Sequence, residues 1–177
     1  TSTTNNNDGV GNNTVPVTTF TANPQDIKDV YAEKRRTFGH HSFRAGQSEV
    51  VTASMKGRDA FVLMPTGGGK SLCYQLPAWC LPGLAVVISP LLSLIEDQVQ
   101  SLTKLGVGAT FLDSRDFAKG SDTYRSIKYD MQAHGGIKLL YVTPEKLRHS
   151  ASVRRLLVGL DKASLLSRFV IDEAHCL

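Results

Sequence analysis

The chain has 177 residues, 41% of them hydrophobic and 20% charged, with a formal net charge of +4. That length suits one domain, or most of one, and the composition excludes a wholly disordered chain, while the mild basicity is compatible with nucleic acid but weak ground for it alone. No run of about 18 apolar residues and no apolar segment behind N-terminal basic residues occurs, so neither a membrane span, a membrane partner nor a secretory signal is expected.

Residues 1–19 hold six Thr, one Ser and five Asn, with Gly9, Gly11 and Pro16 among the rest. No apolar period appears, so residues 1–22 read as a disordered tail. A helical region is expected over residues 23–58. Ile27, Val30, Tyr31 and Phe38 mark a short helix ending near Gly39, and Gln47–Lys56 marks a second, with Val50, Val51 and Met55 on one side. From residue 59 onward, strands and helices alternate. Strands are expected at Ala60–Met64, Leu84–Ser89, Ala109–Leu112, Ile137–Val142 and Phe169–Asp172. Helices are expected at Lys70–Leu81, Pro90–Leu105, about Asp116–Ala133 and about Pro144–Leu160. The clearest helix carries Leu91, Leu94, Ile95, Val99 and Leu102 at helical spacing. Ser89 is its expected cap, Pro90 fits its first turn and Gly106 its end. This alternation predicts an α/β fold: a parallel sheet with helices on both faces.

Met64-Pro65-Thr66-Gly67-Gly68-Gly69-Lys70-Ser71 follows an expected strand and opens an expected helix. That is the setting of a phosphate loop. Consecutive glycines let the backbone turn tightly and aim its N–H groups at phosphate oxygens, aided by the positive end of the helix. Lys70 reaches the β- and γ-phosphates of ATP, and the Ser71 hydroxyl ligates Mg²⁺. The general pattern places Gly where Met64 stands, so the match is a loosened one.

Arg168–His175 is a short apolar run ending in the adjacent carboxylates of Asp172 and Glu173. In a parallel sheet, ligands bind at the carboxyl ends of strands, so this end and the phosphate loop are expected on one edge. Asp172 then holds the Mg²⁺, directly or through water, and Glu173 orients and deprotonates the attacking water. Cys73, Cys80 and Cys176 are too few and too irregular for a disulfide framework. Cys73 and Cys80, two helical turns apart, read as packing residues.

The run from Met64 to Ala78 (MPTGGGKSLCYQLPA) and the run Asp172-Glu173-Ala174-His175-Cys176 resemble the RecQ family of DNA helicases. Phe43-Arg44-Ala45-Gly46-Gln47 is similar to the family's motif 0, Val87–Gln98 to motif Ia, and Leu140–Lys146 to motif Ib. The stretches stand in the family's order, and Met64 is a common start for its phosphate loop. Ala45 departs from the pattern, where Pro is usual. The resemblance implies a P-loop, RecA-like lobe of a superfamily 2 motor that unwinds DNA in the 3′-to-5′ direction. It implies that Gln47 reads adenine, Arg44 supports the base or ribose and His40 stacks on it, beside Thr66, Gly67, Gly68, Gly69, Lys70 and Ser71 on the phosphates. Ser89, Pro90, Leu91, Thr143 and Pro144 are implied in contacts with the DNA backbone, and His175 in coupling the two sites. A role in recombination and repair follows, with a nuclear location in a eukaryote and a cytoplasmic one otherwise.

The resemblance also implies a piece of a lobe. In RecA-like lobes a further strand lies between the phosphate-loop strand and the acidic one. It has no counterpart here, nor has a second lobe. A gap in the sheet or two unpaired edges, an unstable or molten chain when isolated, and no unwinding by it alone are the expectations. Two other readings compete with a DNA helicase. One is a DEAD/DEAH-type RNA helicase, which Asp172–His175 permits but the Leu72–Ala78 extension and motif 0 disfavour. The other is a nucleotide-binding module without motor activity. A small-molecule kinase explains only the loop.

Overall fold

Leu84–Ile88 is apolar throughout, with no polar face to turn toward water, so it has to be buried on both sides. In the computed structural model, which describes residues 27–112, 127, 129–130 and 136–174, this segment is β1, at the interior of a four-stranded sheet. The order is β2-β3-β1-β4, with β2 at Ala109–Phe111, β3 at Leu139–Val142 and β4 at Leu166–Ile171. Every pairing is parallel.

Successive side chains of a strand point to opposite faces, and β1 divides accordingly. Ala85 and Val87 enter one core with Leu139 and Tyr141 of β3. That face is covered by α1 (Val30–Arg36), α2 (Gln47–Met55), α3 (Lys70–Cys80) and α4 (Leu92–Lys104), through Val51, Leu72, Leu76, Ile95 and Leu102. Leu84 and Val86 enter the other core with Leu140 and Val142. There α6 (Ala151–Lys162) lays down Val153, Leu156, Leu157 and Leu160, which repeat at helical spacing. Each fully buried side chain of this kind is worth about 1.5–3 kcal/mol relative to exposure. Cys73 and Cys80 are both buried and unpaired, as packing residues.

Several expected elements change. The segment Ala60–Met64 joins no strand among the described residues, and Phe61 and Leu63 are each 85% exposed. A strand needs a neighbour. Both sides of β1 and of β3 are already taken, and the free edges of β2 and β4 do not pair with it. The outer edge of β4 likewise has no described partner, with Phe169 and Ile171 more than half exposed. Pro90–Leu105 shortens at its start, because Leu91 takes the cap position of α4 with no side-chain hydrogen bond. Ser89 does not cap it and is buried, with its amide donating to the Val142 carbonyl. The expected helix over Pro144–Leu160 splits into α5 (Pro144–His149) and α6 at Ser150, whose hydroxyl caps α6 by accepting from the Val153 amide at 3.3 Å. Most of the expected helix Asp116–Ala133, and the tail, lie outside the described residues.

A polar clasp ties α1 to α3. Trp79 Nε1 donates to Glu33 at 2.7 Å and Thr37 Oγ1 donates to the same carboxylate at 2.6 Å, while the Lys28 amine sits over the Trp79 ring. Burial alone would push the Glu33 carboxyl up. The Thr37 and Trp79 bonds and the charges of Arg36 and Lys28 outweigh it and hold the group below its usual 4.5. A carboxylate whose pKa is depressed by folding contributes stability above its unfolded pKa, and that stability is lost as pH falls through the folded value. Glu33→Gln is therefore expected to cost about 1–3 kcal/mol near neutral pH. The gap to the wild type should close as melts are repeated into acid below 4.5. A gap that persists in strong acid would contradict the charged role.

Candidate active site

Strand register brings three chain ends to one edge. Ile88 pairs with Val142 on one side and with Ile171 on the other, so Ser89, Thr143 and Asp172 leave the sheet together. The amide of Asp172 donates to the Ile88 carbonyl at 2.8 Å, the last rung before the chain turns. Glu173 takes a left-handed conformation, φ 51°, held by its amide bonding Asp172 Oδ1 at 3.1 Å. A non-glycine residue pays about 1–3 kcal/mol for such backbone, and functional sites are where that cost is typically met.

The phosphate loop arrives at the same edge. Lys70 Nζ stands 3.6 Å from Glu173 Oε1, with both side chains about 30% exposed. Residues far apart in sequence thus meet as the two sides of one site. The loop turns through a Gly68 amide bonded to the Pro65 carbonyl at 2.9 Å, and Gly67 and Gly69 have φ of 76° and 84°. Gly69 caps α3 without a side-chain bond, and the Leu72 amide donates to its carbonyl at 3.3 Å, while a helix start of this kind offers its foremost amides to an anion. Thr66 and Gly67 are exposed, and Gly68 half-buried.

The Gln47 and Arg44 side chains meet the loop from below. The Gln47 side chain donates to the Gly69 carbonyl at 3.0 Å and accepts from the Arg44 amide at 2.8 Å. The Arg44 guanidinium donates to the Gly67 carbonyl. Both ends of the Gln47 amide are thus engaged within the protein and the residue is buried, so pairing with adenine requires exchanging those bonds. His40 is exposed, and its amide donates to the Lys34 carbonyl. On the neighbouring chain ends Leu91 is exposed, Pro90 and Thr143 are half-buried, and Thr143 caps α5 by accepting from the Lys146 amide at 3.3 Å. Pro144 occupies the first turn of α5. Ser89 is 2% exposed, with its amide bonded to the Val142 carbonyl. His175 falls outside the described residues.

Whether a divalent cation suits this edge depends on Asp172 and Ser71. Both are half-buried. Burial above all pushes the Asp172 carboxyl above its ordinary range. The Glu173 charge adds to that, and Lys70 opposes it. A carboxylate that is costly as a lone anion is stabilised by a cation beside it. Among the described residues no group of three His, Cys, Asp or Glu side chains forms a closed metal site. One carboxylate and one hydroxyl are what Mg²⁺ takes when substrate phosphates and water supply the rest, so the residues fit.

Sequence patterning overlooks Tyr74. It lies three residues after Ser71, on the same helical face, and its hydroxyl is shut off from water without a hydrogen bond. The spacing was the available signal.

Residues 44–177 match the DEAD/DEAH box helicase family. The ATP-dependent DNA helicase Q-like 4B of Arabidopsis thaliana is 47% identical over 150 residues, which cover 84% of this chain and 13% of that protein. The RecQ-like DNA helicase BLM of Xenopus laevis is 52% identical over 143 residues, 80% of this chain and 10% of that protein. The ATP-dependent DNA helicase RecQ of Haemophilus influenzae is 43% identical over 143 residues, covering 81% and 22%. The chain thus spans under a quarter of the length of these relatives. The crystal structure of the DUF1998 helicase MrfA superposes with a TM-score of 0.59 at 22% identity, covering 86% of this chain and 24% of that one. MrfA bound to DNA and AMPPNP gives a TM-score of 0.60 at the same identity, covering 88% and 22%. At that identity the likeness is one of fold, a parallel sheet with helices on both faces. The chain belongs to the DEAD/DEAH box helicase family, and its relatives place it on the RecQ-type branch.

Proposed function

We propose that this chain provides the nucleotide site of an ATP-dependent DNA helicase of RecQ type, working 3′ to 5′. The observation that carries the reading is the 3.6 Å approach of Lys70 to Glu173, which joins the phosphate loop to the acidic strand end. The loop amides and Lys70 hold the β- and γ-phosphates. Ser71 and Asp172 would hold a magnesium ion, which would supply neutralisation of the phosphate charge. Glu173 orients the attacking water and takes its proton. Arg44, Gln47 and His40 form the base-side wall. Pro90, Leu91, Thr143 and Pro144 lie on chain ends leaving the same sheet edge, where helix-start amides and the Thr143 hydroxyl can donate to DNA phosphates without reading sequence. His175 couples the two. The names of the relatives, DNA helicases throughout, favour DNA over RNA as substrate.

The test is a titration of the full-length protein with a fluorescent ATP analogue, beside Lys70→Ala. Losing a charged hydrogen bond to phosphate costs about 1.5–3 kcal/mol, so affinity should fall roughly 10- to 150-fold. Unchanged affinity would remove the loop assignment. Forked DNA in competition with structured RNA then separates the two helicase readings. ATP binding without DNA-stimulated hydrolysis would favour the module without motor activity.

A further inference from the structure

Behind the site lies a buried polar chain that neither the motifs nor the relatives assign. Gln75 Nε2 donates to Gln98 Oε1 on α4 at 2.6 Å and to the Tyr141 hydroxyl on β3 at 3.4 Å. Gln75 is 8% exposed and Tyr141 fully buried. Beyond Tyr141 lies Tyr74, whose hydroxyl has no hydrogen bond and no water contact. The polar groups acting on it are Tyr141, Asp172 and Ser71. Its position is therefore between the far end of the glutamine–tyrosine chain and two side chains of the nucleotide site.

Counting hydrogens gives the chain a direction. The Gln75 amide nitrogen carries two, and both are used. Tyr141 accepts one of them, which leaves its own hydrogen to donate toward Tyr74. Tyr74, whose hydroxyl makes no hydrogen bond here, has its own hydrogen free to donate. A tyrosine hydroxyl is a donor as well as an acceptor. A carboxylate is an acceptor only, and Asp172 is the carboxylate within its reach. A buried hydroxyl without a partner costs about 1–3 kcal/mol, a cost removed when the bond forms.

We propose that Tyr74 is a positioning residue for the metal-holding Asp172. With the site loaded, its hydroxyl donates to the Asp172 oxygen turned away from the cation and fixes the rotamer of that carboxylate. Partners of this kind orient a ligating group and raise metal affinity without touching the metal. Because the chain begins on Gln98 of α4, it also ties the helix that follows Leu91 to the acidic strand end. The inference rests on the reading of Asp172 and Ser71 given above.

The test is Tyr74→Phe in the full-length protein, which keeps the ring and removes one oxygen. Mn²⁺ binding in the presence of ADP is followed by electron paramagnetic resonance, and ADP binding is measured separately in EDTA. Mn²⁺ affinity should fall about tenfold, as for other partners of metal ligands. ADP affinity in EDTA should stay within about twofold, since phosphate contacts without metal do not use Asp172. Tyr141→Phe, one step back in the chain, should lower Mn²⁺ affinity about threefold by the same route, and it carries the test should Tyr74→Phe not fold. Unchanged Mn²⁺ affinity overturns the proposal. Equal losses with and without metal overturn it too, because general loosening of α3 does that. Lys70→Ala separates the two levels. If it lowers nucleotide affinity while Tyr74→Phe leaves Mn²⁺ affinity alone, only the Tyr74 role falls. If Lys70→Ala has no effect, the site reading falls with it.

Discussion

Glu173→Gln is expected to slow ATP hydrolysis about 100- to 10,000-fold, the range for removing a general base. Nucleotide binding should survive within a few-fold, since glutamine keeps the size of the side chain and the phosphates are held from the other side of the site. The substitution also ends the ion pair with Lys70. At about 30% exposure that pair is screened and worth little, so its loss does not account for the effect. Single-turnover phosphate release, with and without DNA, measures the step. Hydrolysis within about threefold of wild type would place the base elsewhere. The backbone of Glu173 supports the assignment: its left-handed turn aims the carboxylate at Lys70 directly after the strand ends.

Gly69→Ala is expected to disable the loop from beneath. A Cβ there would lie 2.3 Å from Gln47 Nε2, and φ at this position is +84°. The left-handed backbone costs an L-residue about 1–2 kcal/mol, and moving Gln47 aside sacrifices bonds worth about 1 kcal/mol each. The sum, about 2–4 kcal/mol, should appear as a lower melting temperature. Nucleotide affinity should drop at least about tenfold, because the Gly69 carbonyl that Gln47 anchors belongs to the loop itself. A melt and an affinity both equal to wild type would show that Gln47 moves freely and anchors nothing.

The parts legible in the sequence were those with a local cause. Leu84–Ile88 has no polar face and becomes an interior strand. Val153, Leu156, Leu157 and Leu160 bury because their spacing puts them on one side of a helix. The glycines before Lys70 announce their turn by composition. What failed depended on neighbours. Ala60–Met64 has the composition of a strand, but a strand forms only beside another, and no described strand accepts it. Ser89 precedes a proline and a helical pattern like a cap, yet the chain continues two residues further before α4 begins and leaves it buried. Ser150 sits inside a run of good helix formers, and its capping hydroxyl breaks that run in two. The polar chain from Gln98 through Gln75 to Tyr141 joins three elements, and no spacing rule for a single helix or strand reaches across them.

The sheet order also sets a timetable for folding. β1 is made early, but its partners β3 and β4 come from residues 139–142 and 166–171. As synthesis proceeds from the N-terminus, the most apolar strand waits with both flanks open until those later residues emerge. Distant pairings of this sort raise contact order, slow the search for the native topology and prolong the exposure of sticky surface. A nascent chain of this design leaves Leu84–Ile88 without its strand partners over that interval.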